Sequence, residues 1–198
     1  MSEFIRRTLI RISNDNDFSL TEAELTNLVS FFDLRTIPKG NFWLREGQYC
    51  TQIAVVEEGL LMYYKNVEGE EIALDFAMEE NWVSYIKSIN QKIPSDINIR
   101  TLEDCKVHTL SIESMELLFR EHPKLIQIKV AQTEQSFMEM AEYNSNLNIL
   151  TPEEHYRKLT EKRGEWLNRV PQYYIASYLG IKPQSLSRIR SRISREKK

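Results

Sequence analysis

Apolar and polar residues follow two different periods in the first half of the chain. Across residues 20–33 the apolar positions have helical spacing, and Thr21 followed by Glu24 is a capping-box pattern, so a short helix is predicted. Across residues 37–111 the pattern is typical of short strands separated by turn residues. We expect strands at 53–56, 60–64, 72–76, 97–101 and 107–110, with turns at Lys39-Gly40, Glu46-Gly47, Glu58-Gly59 and Glu68-Gly69. Many short strands favour an antiparallel barrel or jelly-roll sandwich.

A long amphipathic helix is predicted beyond Pro123. Positions spaced alternately by four and three residues form a heptad seam on a helix about 25 residues long. The seam consists of Ile126, Val130, Thr133, Phe137, Met140, Asn144 and Leu147. An amphipathic helix of this length needs a partner surface, so we expect self-association across the seam, with packing against the chain's own barrel as the alternative. The polar Thr133 and Asn144 then fix the register or touch a ligand at the subunit boundary.

Three shorter helices are predicted after residue 150. Thr151-Pro152 followed by two glutamates predicts a helix to about residue 163. A second helix begins near Pro171, and Gly180 supplies a tight turn into a third helix that Pro183 opens. The inner face of the second helix is apolar or small: Ile175, Ala176 and Leu179.

The last helix has two contrasting faces. Leu186, Ile189 and Ile193 lie close together on its circumference and are expected to be buried. The opposite face carries hydrogen-bonding and cationic side chains: Gln184, Ser185, Arg188, Ser191, Arg192 and Arg195. One face is therefore suited to packing and the other to contact with a polar partner.

Composition places the chain among ordinary folded proteins. No segment is apolar enough to span a membrane, and residues 1–16 lack the pattern of a secretion signal, so we expect a cytoplasmic protein without a membrane partner.

Cys50 and Cys105 are far apart and have no Cys or His neighbours at metal-ligand spacing, so we interpret them as buried free thiols. No cofactor or metal is identifiable.

Charge divides the chain into two parts. Residues 151–198 hold 12 Lys and Arg against 5 Asp and Glu, whereas the preceding 150 residues hold 14 against 24. The net charge of −3 conceals this division. A basic C-terminal part and an acidic body indicate that only the C-terminal part meets a polyanion.

The C-terminal pattern resembles the helix-turn-helix of the Crp/Fnr transcription regulators, above all in the sequence IASYLGI followed by SLSRIR at residues 175–190. In size and hydrophobic pattern the resemblance extends from the turns after Pro38 through the long helix. It implies that the last helix enters the major groove of double-stranded DNA, with Gln184 and Arg188 reading bases. The expected phosphate contacts are Gln172, Lys182, Ser185 and Arg192. For Arg192, as for Arg190 and Arg195, a solvated basic face is an equal alternative.

The strand region resembles a cyclic-nucleotide-binding domain, which implies a Gly-Glu pair for the ribose and an Arg-Ser pair for the phosphate. Counted back from Cys105, these pairs fall on Ser84-Tyr85 and Ser95-Asp96, and none of the four residues matches. Because Asp96 would repel a phosphate, we expect cAMP and cGMP to bind weakly or not at all. Arg100, Lys87 and Lys92 are candidate substitute cations. The effector stays unidentified.

The expected fold class is α+β: an N-terminal double-stranded β-helix, that is, a jelly-roll-like β-roll; a long dimerisation helix; and a C-terminal helix-turn-helix lacking the usual full wing. The expected domains are a sensor at 1–121, the dimerisation helix at 122–150 and a DNA-binding domain at 151–198.

The expected function is transcription regulation by a homodimer that binds an inverted-repeat operator in double-stranded DNA. A small-molecule effector and RNA polymerase are candidate partners.

Two alternatives to this function are considered. A cupin-like enzyme would need clustered metal ligands, and the strands contain only His108. We therefore do not expect an enzyme. The other alternative is a sensing or scaffold module whose helix-turn-helix no longer binds DNA.

Overall fold

The computed structural model describes residues 2–196, with all of their side chains except those of residues 162, 163, 165 and 166. Two helices open the chain, α1 (Glu3–Asp15) and α2 (Glu22–Ser30). The predicted capping box begins α2. There the Thr21 hydroxyl accepts from the Glu24 N–H, and the Glu24 carboxylate accepts from the Thr21 N–H at 2.8 Å. No helix is predicted from the sequence at the position of α1.

Strands and one short helix make up the middle of the chain: β1 (Asp33–Ile37), β2 (Phe42–Leu44), β3 (Gln52–Glu58), β4 (Leu61–Val67), β5 (Glu70–Ala77), β6 (Trp82–Val83), α3 (Ile86–Gln91), β7 (Asn98–Thr101) and β8 (Cys105–Ser111). The five predicted strands are confirmed. At the predicted turns the glycines have positive φ, and at Gly59 a Cβ would lie 2.6 Å from the Asp104 carbonyl oxygen, so no other residue fits there without a shift.

The strands pair into two antiparallel sheets. The first sheet has the order β1-β8-β3-β6, and the second has the order β2-β7-β4-β5. Their facing sides share one buried core, with Val56 and Val107 from the first sheet and Leu61 and Ile99 from the second, so together they form a sandwich. The antiparallel sheets of the α+β expectation are confirmed, and the jelly-roll connectivity stays an interpretation of the strand order.

Helices cover the outer side of the first sheet. After the sandwich come α4 (Ile112–Glu121), a 3-10 turn (Pro123–Leu125) and α5 (Ile126–Ile149). Side chains of α1, α2, α4 and the start of α5 join Val55 and Leu110 of the sheet in a second core. Helix α5 confirms the long helix predicted beyond Pro123.

The outer side of the second sheet is covered by the C-terminal helices α6 (Pro152–Arg169), α7 (Gln172–Tyr178) and α8 (Pro183–Glu196). Met62 and Tyr64 of β4 face this way, whereas Leu61 and Tyr63 point into the sandwich, as strand alternation requires. Helix α6 extends past the predicted residue 163, because Leu167 near its end is buried in the same core.

Arg169, at the end of α6, ties the C-terminal helices to the sandwich. Its guanidinium donates two hydrogen bonds to Glu79, at 2.8 and 2.9 Å, and two to Glu103, at 3.0 and 2.6 Å. These bonds raise the pKa of Arg169 and lower that of Glu79 to about 2.

Within the described residues, no helix combines the length and the apolar character needed to cross a bilayer.

The Glu79–Arg169 pair predicts a specific acid sensitivity. Because the pKa of Glu79 falls from 4.5 to about 2 on folding, the pair stabilises the folded chain above pH 4.5 and loses its contribution as the pH falls toward 2. We expect Glu79→Gln to be less stable than the wild type at pH 7 and to lose less stability over that acid range. Urea unfolding at a series of pH values measures both effects.

Glu80→Gln is the matched control, because Glu80 pairs with Arg11 at 2.6 Å and not with Arg169. The control is expected to reproduce the wild-type slope of unfolding free energy against pH. Equal slopes for the wild type and Glu79→Gln would contradict the assignment.

Candidate nucleic-acid interface

Helices α7 and α8 form the predicted helix-turn-helix. Ile175 and Ala176 of α7 have no exposed surface. Gly180 follows with φ +65°, a left-handed conformation that favours glycine, and its N–H donates to the Ser177 carbonyl at 3.0 Å. The Ile181 N–H donates to the Ala176 carbonyl at 3.0 Å, which closes the turn. The predicted positions of both helices and of the turn are confirmed.

Helix α8 is anchored by one face and exposed on the other. Leu186 and Ile189 are buried and Ile193 is half-buried against the C-terminal core, as its spacing predicts. The opposite face is exposed at every predicted position: Gln184, Ser185, Arg188, Ser191, Arg192 and Arg195. The chain thus presents a rigid helix whose outward side carries donors and cations.

The residues predicted to contact DNA lie together at this surface. Gln184 and Arg188 are exposed one turn apart on α8, and Lys182 and Ser185 are exposed at its start. Gln172 is exposed at the first position of α7. Arg192 differs from the others, because its guanidinium donates to the Glu153 carboxylate at 2.5 Å. A phosphate would have to compete with that carboxylate.

Several basic side chains of the C-terminal part are neutralised by carboxylates. Arg157 pairs with Glu153 and Glu196, Lys158 with Glu142, and Arg169 with Glu79 and Glu103. By contrast, within residues 2–196 and their described side chains, no ion pair involves Lys182, Arg188, Arg190 or Arg195. Among the described side chains of the C-terminal part, the cations without an ion pair therefore lie on and beside α8.

A polar network fixes α7 on the second sheet. Arg100 of β7 donates two hydrogen bonds to Glu71, at 2.8 and 2.6 Å, and one to the Tyr174 hydroxyl at 2.9 Å. Tyr174 in turn donates to Glu71 at 2.7 Å, and the Ala73 N–H donates to the Ser177 hydroxyl at 3.0 Å. Burial opposes ionisation of Glu71, but the bonds from Arg100 and Tyr174 outweigh it and lower the pKa of Glu71.

The sequence suggests Arg100 as a cation for a ligand, but in the structure its guanidinium binds Glu71 and Tyr174. The structure does not bring Arg100 to the other candidate ligand residues, because its side chain lies on the outer face of the second sheet against α7 and over the Tyr64 ring at 4.9 Å. Its partners Glu71 and Tyr174 are 29 and 74 residues away in sequence. No local pattern connects residues so far apart.

The other four candidate ligand residues lie near one another. Ser84 and Tyr85 lie between β6 and α3, and Ser95 and Asp96 lie just before β7. The Tyr85 hydroxyl donates to Asp96, which also pairs with Lys87 at 3.1 Å and Lys65 at 3.4 Å. These bonds, first that of Tyr85, lower the pKa of Asp96. Ser95 is buried and donates to the Ile97 carbonyl at 2.8 Å, and Ser84 donates its N–H to the Tyr63 hydroxyl at 3.3 Å. The Asp96 carboxylate and the hydroxyls of Tyr85 and Ser95 are thus engaged with protein groups.

The heptad seam lies on the exposed side of α5. Its apolar members remain exposed, Phe137 by 64% and Met140 by 55%, while Ile128 and Ala131 on another side of the helix are buried against the sandwich. Thr133 and Asn144 are also exposed. In the single chain the apolar seam residues thus leave an exposed surface, and self-association across it stays a prediction.

His108, the histidine of the strand region, serves the packing of α1. It is buried, its Nε2 lies 2.6 Å from Glu57, and its ring stacks on Phe4 with centroids 5.5 Å apart. In the described part of the chain, no group of three or more His, Cys, Asp and Glu side chains is arranged to hold a metal ion. Cys50 and Cys105 are both buried and free, as predicted.

No model of a known protein family and no curated protein sequence matches the chain. Solved structures do match it. FixK2 from Bradyrhizobium japonicum is 14% identical with a TM-score of 0.73, over 83% of this chain and 85% of that one. The c-di-GMP-responsive global regulator CLP from Xanthomonas campestris is 14% identical with a TM-score of 0.69, over 89% and 93%. The catabolite activator protein of Thermus thermophilus is 17% identical with a TM-score of 0.55, over 90% and 85%. These proteins are Crp/Fnr regulators, and the chain has their fold.

Proposed function

We propose that the chain is a sequence-specific DNA-binding transcription regulator of the Crp/Fnr type that acts as a homodimer. The observation that carries the proposal is the outward face of α8, where exposed Gln184 and Arg188 stand above a buried apolar underside. A helix held in this way enters the major groove, whose base edges present a distinct pattern of donors and acceptors. Its rigid anchoring fixes the direction in which these side chains point.

The roles of the exposed residues follow from their chemistry. Arg188 suits a bidentate contact with guanine and Gln184 suits adenine. Lys182, Ser185 and Gln172 border these two residues and contact phosphates, which sets the position of the protein without reading sequence. Arg192 reaches a phosphate only by giving up the Glu153 carboxylate, so its contribution is smaller than its charge suggests.

Dimerisation follows from the exposed seam. Exposed apolar side chains such as Phe137 and Met140 recur along the seam of α5, and a second copy of α5 provides a complementary surface. A dimer with twofold symmetry presents two copies of α8, so its operator is an inverted repeat with half-sites about one helical turn apart.

The domain limits proposed for this regulator are a sensor at 1–121, the dimerisation helix at 122–150 and the DNA-binding part at 151–198. The effector is a molecule other than cAMP, or the protein has none. Support comes from the count back from Cys105, which puts Asp96 at a phosphate-binding position and Tyr85 at the position of the ribose-binding glutamate, and from the hydrogen bond that Tyr85 donates to Asp96.

Selection of bound duplexes from a random pool tests the regulator directly. We expect an enriched inverted repeat with half-site centres about 10 base pairs apart, because two symmetric recognition helices require it. Binding should weaken steeply as salt rises. A pool without any enriched sequence would instead indicate a sensing or scaffold module.

Arg188→Ala tests base readout. We expect a loss of about 1–3 kcal/mol in operator binding and relaxed preference at one base pair of each half-site, because a bidentate contact is removed. Lys182→Ala is the matched control, since it also removes one exposed cation but is assigned to a phosphate. It should weaken binding to all duplexes by a similar factor, and a uniform loss in Arg188→Ala would reassign Arg188 to the backbone. Competition binding with single-base variants of the selected site measures both.

Phe137→Glu tests the seam. Two glutamates brought together in the dimer repel each other and lose an aromatic contact, so we expect monomers. Met138→Glu is the control, because Met138 is 67% exposed on the same turn but lies off the seam, and it should remain dimeric. Sedimentation velocity separates the two states. Dimers of Phe137→Glu at the same concentrations would refute the seam.

A further inference from the structure

A partly enclosed cavity of about 180 Å³ lies outside the sandwich, between the outer side of the first sheet and the helices α1, α2, α3, α4 and α5. Most of its wall is apolar, with Ile53 and Leu110 from the sheet and Met115 and Leu118 from α4. Of the five candidate ligand residues, only Ser84 borders it. The cavity is therefore a different site from the cluster around Asp96.

The size and lining of the cavity indicate an apolar occupant. An apolar cavity of about 150 Å³ stays free of water and accommodates benzene. Void space in a core costs stability in proportion to its volume, because the lining atoms lose their contacts. A six-membered ring or a short alkyl chain restores those contacts.

Trp82 adds a requirement for a hydrogen-bond acceptor. Its indole lines the cavity, and its buried Nε1 has no hydrogen-bond partner among the described residues. Phe32 holds the ring in an edge-to-face contact with centroids 6.3 Å apart. A buried donor without an acceptor is costly, and indole N–H groups in protein cores normally have a partner.

Helix α5 supplies the polar part of the wall. Lys129, Gln132, Thr133 and Ser136 all border the cavity. The Lys129 side chain makes no ion pair with any side chain that the structure describes. A cation and an unsatisfied N–H around an apolar space favour a ligand whose acceptor is an anion.

We infer that this cavity binds a small amphipathic carboxylic acid. Its apolar part, about the size of a benzene ring or a chain of six to eight carbons, occupies the space between the first sheet and α4. Its carboxylate accepts from the Trp82 N–H and is neutralised by Lys129. Carbohydrate and nucleotide ligands are disfavoured, because their many hydroxyls would be buried without partners.

The cavity also touches the dimer seam. Thr133 belongs both to the cavity wall and to the seam, so an occupant contacts the sandwich and α5 together. Resting on the proposed function, we assign the acid as the effector that shifts the placement of α5 and so the affinity for DNA. A ligand shifts such an equilibrium only through different affinity for the two placements.

Calorimetric titration of the full chain with octanoate, in the absence of DNA, tests the site. We expect saturable binding of one octanoate per chain, and at least roughly tenfold weaker binding of octanol, which has the same chain length without the charge. Trp82→Phe should weaken octanoate binding by roughly tenfold, and Lys129→Gln should remove most of the preference for octanoate over octanol.

Ile53→Phe fills the cavity and should abolish binding, whereas Leu74→Phe, which adds the same bulk on exposed β5, should leave it unchanged. Thermal melts of each variant show whether it is folded. Wild-type affinity in Ile53→Phe, equal affinity for octanoate and octanol, or no saturation with octanoate or 4-phenylbutyrate up to about 1 mM would each overturn the site. Binding seen only in the Phe137→Glu monomer would show that a second copy covers the cavity, and would overturn it as well.

These titrations contain no DNA, so a failure of duplex selection leaves their outcome intact. The effector role is tested separately, by operator affinity with and without octanoate in the wild type and in Ile53→Phe. We expect octanoate to change operator affinity at least fivefold in the wild type only. Binding of octanoate without any such change would keep the site and refute its regulatory role.

Discussion

Met62, Tyr64 and Phe76 give the second sheet an apolar outer face in addition to the one it turns toward the sandwich core. A sheet that is apolar on both sides must be covered on both. Helices α6, α7 and α8 provide that cover, and burial of this surface supplies most of the free energy that holds them. The partly exposed ion pairs of Arg100 and Arg169 add little energy of their own, but they define one orientation of the helices. The direction in which the exposed face of α8 points follows from this contact.

Helix α5 contributes to three surfaces of the molecule. Ile128 and Ala131 pack against the first sheet, and the seam faces outward for a second copy. Near its end Tyr143 donates to the Tyr178 carbonyl of α7 at 2.7 Å and stacks on the Tyr178 ring at 4.7 Å. Since an α-helix moves as a stiff body, a change at one of these contacts displaces the others. The contacts therefore link the first sheet physically to α7, which precedes α8 in the helix-turn-helix.

The sequence predicts what is set by local patterns. The strands, the glycine turns, the seam and both faces of α8 follow from residues within a few positions of each other. Helix α1 carries the same kind of pattern at Ile5, Leu9 and Ile12, so it was within reach of the same reasoning. The Arg100–Glu71–Tyr174 network was not, because its members meet only once the C-terminal helices dock on the second sheet. The expected lack of the usual full wing stays a prediction, since the described residues end at the last residue of α8.

The net charge counted from the sequence also does not show which cations are free to contact a polyanion. The C-terminal part has seven more basic than acidic residues, yet Arg157, Lys158 and Arg169 are neutralised by carboxylates, two of them on the sandwich. The affinity for a polyanion depends on the cations that can release counterions at the interface, and not on net charge. Among the described side chains of the C-terminal part, the cations without an ion pair lie on and beside α8, while the preceding 150 residues hold 14 basic against 24 acidic residues and on balance repel phosphate. For the proposed regulator, this arrangement favours the approach of a DNA duplex on the side of α8, so the same distribution of charge that limits non-specific attraction also orients the encounter.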